Sequence, residues 1–159
     1  MATLIGNKPN QVPTNADLGQ IAFRDDNPQG GIVGATDTQT LTNKTIDAGT
    51  FTNGYTEETV TANTSTAYTI DLANGTVQIL TLTGNCTFTF PTATAGKSFI
   101  LLLKQDGTGS RTVTWAASVK WPGGTAPTIT ATASKLDKYV FTADGSNWYG
   151  SNAGQNYTV

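Results

Sequence analysis

Three aspartates in the second half of the chain, Asp106, Asp137 and Asp144, and a set of late aromatics, Trp115, Trp121, Trp148 and Tyr149, are the side chains best suited to chemistry or recognition. A carboxylate pair is the minimum apparatus for glycoside hydrolysis, and an exposed ring near a loop offers a flat platform for a sugar or a protein. Each aspartate, however, falls at a turn or a strand entry, where hydrogen bonds between its carboxylate and nearby backbone account for it. No histidine occurs in the 159 residues. That removes the usual general base, the Ser-His and Cys-His nucleophile pairs and the commonest metal ligand. Asp25 and Asp26 alone do not make an Asp-rich loop with cation-ligand spacing. We therefore expect no enzyme, no catalytic residue, no metal site and no cofactor. Among the aromatics, Trp115 and Trp148 lie in or beside alternating segments and read as packing. Trp121, followed by Pro122, Gly123 and Gly124, is the better surface candidate of the three, with core or subunit packing as the other reading, and with Asp144 and Tyr149 it forms the candidate contact set.

The elements that must position these residues are strands. About a fifth of the residues are threonine, only 13% are charged, and 17 glycines punctuate the chain, a strand-and-turn composition. From Thr59 onward short apolar segments alternate with turn signals. Residues 67–72 and 76–82 flank Asn74 and Gly75, which predicts a two-residue hairpin. Residues 87–90 alternate and stop at Pro91, with Cys86 expected to be a buried thiol rather than half of a disulfide, since it is the only cysteine. Residues 98–104, SFILLLK, form a continuous apolar run, as expected of a central strand covered on both faces. Further strands are predicted at 111–115, 128–132, 138–142 and 147–150, with turns around Asp106, Trp121 and Asp144. Lys104 and Arg111 flank the first of these turns as a solvated hairpin end. About eight short strands without helix predict an all-β domain over 56–159, an antiparallel β-sandwich of jelly-roll type.

Residues 1–55 have a different character. Pro9, Pro13 and Pro28, the Gly30, Gly31 pair and the polar cluster from Arg24 to Asn27 break every candidate element into short pieces. In residues 38–55, TQTLTNKTIDAGTFTNGY, single apolar residues Leu41, Ile46 and Phe51 recur about every five positions, too sparse for one sheet face or one helix stripe. Ordering some 55 residues costs roughly 1.5 kcal/mol apiece, more than about a dozen buried apolar side chains at roughly 2 kcal/mol each can offset. This part needs other chains to pack against. Leu41, Ile46 and Phe51 are candidate trimer-packing residues, and Asp17, Arg24 and Asp25 are candidates for docking, where charge sets register. A net charge of −2 provides no basic patch for phosphates, so no nucleic-acid partner is expected. Residues 1–11 carry no charged region followed by an apolar one, and no apolar run reaches bilayer length, so no membrane insertion is expected.

Three strings carry a resemblance. Residues 7–25, NKPNQVPTNADLGQIAFRD, resemble the opening of small tail-fibre and related virion proteins of tailed phages. Residues 36–51, TDTQTLTNKTIDAGTF, resemble a connector between modules of such proteins. The late pattern GKSFILLLKQDGTGSRTVTW, then VKWPGGTAPT, then DKYVFTADGSNWYG, is similar to a C-terminal domain of phage fibre proteins. The resemblance implies a small phage virion fibre protein: a homotrimer located in the virion, with residues 1–55 anchoring and intertwining the three chains on other tail or capsid proteins. The β-domain would then be displayed for attachment to a host-surface glycan or protein, with Trp121, Asp144 and Tyr149 as receptor contacts. The alternative is a capsid decoration or head-fibre protein. A cellular carbohydrate-binding module is a further reading, which glycan binding by a monomer would favour.

Overall fold

The computed structural model describes residues 48–52 and 54–159. Among them the chain alternates between two sheets. β1 (Thr59–Thr64), β3 (Val77–Leu82) and β5 (Ser98–Gln105) lie side by side in a six-stranded sheet, while β2 (Ala67–Thr69), β4 (Cys86–Thr89) and β6 (Val113–Thr114) form a three-stranded one. Each crossing to the other sheet returns the chain in its original direction, so neighbours pair in parallel: β1 with β3, β3 with β5, β2 with β4, and β4 with β6. The result is three turns of a flattened coil. After β7 (Val119–Lys120) and a 3-10 turn at Pro122–Gly124, the long strands β8 (Lys135–Ala143) and β9 (Trp148–Thr158) complete the large sheet. β8 runs antiparallel to β5 and to β9, and β7 pairs in parallel with β9, giving the order β1-β3-β5-β8-β9-β7.

The chain is all-β and has two sheets, as its composition predicts. The pairing within them is mixed rather than antiparallel, so the jelly-roll connectivity does not describe it. The reason is visible at Asn74 and Gly75. β2 and β3 belong to different sheets, and the bend between them is held by Asp71, whose carboxylate accepts hydrogen bonds from Ala73 N (2.9 Å) and Asn74 Nδ2 (3.0 Å). Gly75 serves close approach instead of a hairpin turn: its φ is +140°, and a Cβ there would lie 2.5 Å from the Glu58 carbonyl oxygen. Gly75→Ala is therefore expected to cost about 2–3 kcal/mol, read as a lowered urea midpoint of the purified protein. A cost within experimental error would contradict this packing of the bend on the entry to β1.

Residues 128–132, expected as a strand, are irregular because their backbone groups are engaged elsewhere. Thr130 N donates to Asp137, Ala131 O accepts from Ser110 N, and Thr128 O accepts from Gln155.

The core lies between the sheets. Alternation along β3 and β5 turns Leu80, Leu82, Phe99, Leu101 and Leu103 inward against Cys86 and Phe88 of the small sheet, all at most 3% exposed. Tyr139, Phe141 and Trp148 add a fully buried aromatic layer, with Phe99 stacked on Phe141 at 4.8 Å and Phe90 edge-on to Phe141 at 5.0 Å. Offset and edge-on ring pairs of this kind each contribute about 0.5–1.5 kcal/mol beyond their area. The apolar run 98–104 is central, as expected. Its outward residues Ile100 and Leu102 are only half-buried.

Candidate functional site

The turn between β8 and β9 collects two of the three candidate contact residues. Asp144 ends the ascending strand and Gly145, at φ +103°, reverses the chain. The Asp144 Oδ1 atom accepts hydrogen bonds from Ser146 N and Asn147 N, both 2.7 Å, and Oδ2 accepts one from the Tyr149 hydroxyl at 2.9 Å. Hydrogen bonds from Asn147, then Ser146 and Tyr149, hold the Asp144 carboxyl below the usual carboxylate range, and the same contact raises the Tyr149 hydroxyl. The loop thus saturates its own carboxylate. What it offers outward is the Tyr149 ring, 49% exposed and fixed by its hydroxyl. A rigid aromatic face with few rotors suits recognition better than proton transfer.

Trp121 is not part of this surface. Expected as an exposed ring, it is only 9% exposed and packs edge-on to Trp115 at 5.1 Å and Phe141 at 5.6 Å. The cause is Gly150: with no side chain there, the indole lies where a Cβ would sit 2.7 Å from its ring. Glycines after a tryptophan marked a corner in the sequence, but the glycine that admits this ring lies on β9, 29 positions from Trp121 along the chain. Its indole N–H finds no acceptor among the described residues. Trp148 is fully buried and donates its Nε1–H to Pro91 O at 2.8 Å; Trp115 is half-buried against Phe88, Trp121 and Tyr139.

The remaining aspartates are structural. Asp106 Oδ1 accepts from Thr108 N and Gly109 N, and Oδ2 pairs with Arg111 at 2.9 Å, so Arg111 closes this turn instead of standing free. Hydrogen bonding to Arg111 and then Gly109 lowers the Asp106 carboxyl. Asp137 is 2% exposed at the centre of a polar knot with Tyr139 and Gln155, a role that its expected place at a strand entry did not reveal. Among the described residues no group of three or more Asp, Glu or Cys side chains converges as metal ligands. Phe51 is 62% exposed beside Tyr55; Asp17, Arg24, Asp25, Leu41 and Ile46 lie outside the described residues.

The segment from Val60 in β1 to Trp148 at the start of β9 matches the family model described as "Putative phage tail fibre C-terminal domain" over residues 60–148, more than half of the chain. The chain belongs to this phage tail fibre family. It is accordingly an all-β, virion-associated structural component of a phage tail fibre. The match spans the three coil turns, the aromatic core and the Asp144 turn, and ends one residue before Tyr149. No curated protein and no solved structure matches the chain.

Proposed function

We propose that this tail fibre protein is a non-enzymatic homotrimer that displays its β-domain for attachment to a host-surface glycan or protein. Residues 1–55 anchor and interleave the three copies on other virion proteins, with Asp17, Arg24 and Asp25 docking and Leu41, Ile46 and Phe51 packing between chains. The match of residues 60–148 to a fibre C-terminal domain carries this reading. The Asp144 turn supports it as well, because it presents the Tyr149 ring on a loop stiffened by three hydrogen bonds. Shallow contacts suffice when three copies share one axis, since the second and third bind at high effective concentration.

Phage particles assembled without this chain should adsorb to host cells more slowly, by on the order of a hundredfold. Density for the chain in maps of intact particles should lie at the tail. Normal adsorption of particles lacking it would remove the host-contact role, and density on the capsid would replace it with shell decoration.

A further inference from the structure

The face of the large sheet turned away from the core is apolar at its centre. Val77 pairs with Ile100, Ile100 with Val140, and Ile79 with Leu102, and all five side chains are half-buried. Val77, Ile100 and Val140 line an open depression of about 240 Å³, rimmed by Ser98 and Glu57. A strand with leucine and isoleucine on both faces is built to be covered on both. The same unit, Phe51–Val159, also presents a pair of large aromatics to water near its start. Phe51 and Tyr55 are 62% and 73% exposed, with ring centroids 6.1 Å apart. Tyr55 lines a separate hollow with Leu72, Ala73 and Gly75, so in its own chain it stands beside the apolar depression and does not line it.

We propose that the Phe51, Tyr55 pair of one copy seats in the Val77, Ile100, Val140 depression of a second copy of this chain. Aromatic rings entering an apolar recess are the usual core of a protein interface. Charge fits the same placement. Glu57 follows Tyr55 by two residues, and Lys138 stands two residues before Val140 on the same outward face. Two residues of extended chain span about 6.6 Å on either side, so Tyr55 over Val140, with its segment running antiparallel to β8, brings Glu57 over Lys138. Knob and recess are different surfaces of one chain. The contact is therefore heterologous and repeats around a ring, which three copies close. The inference rests on the homotrimer proposed above and assigns the surface that makes it.

The test is disulfide capture in the full chain. Tyr55→Cys with Val140→Cys, oxidised and run on a non-reducing denaturing gel, should give a covalent trimer that neither single variant gives. Tyr55→Cys with Ser98→Cys, both at exposed positions, repeats the test if the Val140 change impairs folding. Sedimentation of the unmodified chain separates the two levels of failure. A trimer by mass that yields no cross-link from either pair overturns this surface and leaves the trimer standing. A monomer by mass overturns both, and a cross-linked product of monomer mass shows the recess filled by its own chain, which also overturns the proposal.

Discussion

Replacing Trp148 with alanine should lower the stability of the fibre domain by about 3–5 kcal/mol, the upper range for a large-to-small change in a core. The indole is 0% exposed and opens β9, where it meets Phe99 edge-on at 5.2 Å and Phe90 at 6.2 Å. It also fastens a remote loop, donating to Pro91 O at 2.8 Å, while its backbone N–H reaches Ser118 O at 3.0 Å ahead of β7. Alanine leaves a cavity among rings that cannot collapse into it and strips the Pro91 carbonyl of its donor. Trp148→Phe separates these effects, since a smaller ring remains while the hydrogen bond is lost; about 1–2 kcal/mol is expected. Trp121→Phe is the control, because the Trp121 N–H has no acceptor among the described residues to lose. Urea unfolding of the three variants measures all of this. A cost for Trp148→Ala below about 1 kcal/mol would mean that the aromatic layer is not packed as described.

Asp137→Ala should be comparably damaging, at about 3–5 kcal/mol, for an opposite reason. Here a charge is buried and fully answered. Oδ2 accepts hydrogen bonds from Thr130 N at 2.7 Å, Gln155 Nε2 at 3.1 Å and the Tyr139 hydroxyl at 3.2 Å, and Oδ1 accepts one from Asn156 N at 2.9 Å. One side chain on β8 thus ties the irregular 125–134 segment and the far end of β9 to the sheet. Removing it leaves Thr130 N, Asn156 N and the Tyr139 hydroxyl without an acceptor, while Gln155 Nε2 keeps only Thr128 O among backbone partners.

The same hub sets a pH dependence. Burial raises the Asp137 carboxyl, but the bonds from Thr130 and Asn156, aided by Gln155, outweigh it and hold the carboxyl below its ordinary value. A carboxyl depressed in the folded state contributes stability that is complete above the unfolded value of about 4 and is lost as pH falls through the folded one. The melting temperature should therefore hold near neutrality and fall below about pH 4, and Asp137→Asn should shrink that acid-side fall. Part of the fall survives in the variant, since Asp106 and Asp144 are also depressed. An unchanged acid slope in Asp137→Asn would show that the carboxylate is not ionised within the knot.

Most of the strands were legible because their signals are local. Alternation picked out residues 87–90 and 138–142, the apolar run marked β5 as central, and the single cysteine at the head of the alternation Cys86, Phe88, Phe90 read correctly as a core residue. Strand partners were not legible, because pairing is decided by which sheet each segment joins. An Asn-Gly pair between two β segments has the same local preference whether it closes a hairpin or bends the chain into a second sheet. The burial of Trp121 was hidden for a related reason: its neighbours in sequence are turn residues, but its neighbours in space are Gly150, Phe141 and Trp115.

By itself the sequence determined that this chain is a β-rich structural protein of the phage fibre kind, because threonine content, glycine spacing, the missing histidines and three motif strings are properties of composition and order. Only the tertiary structure decided that the strands coil in parallel, that Asp137 is a buried hub, that Trp121 belongs to the core and that the Tyr149 hydroxyl is held by Asp144. Each of these depends on groups far apart in the chain meeting at distances of a few ångströms. Neither the period of a segment nor the propensity of a residue specifies which distant partner it will meet.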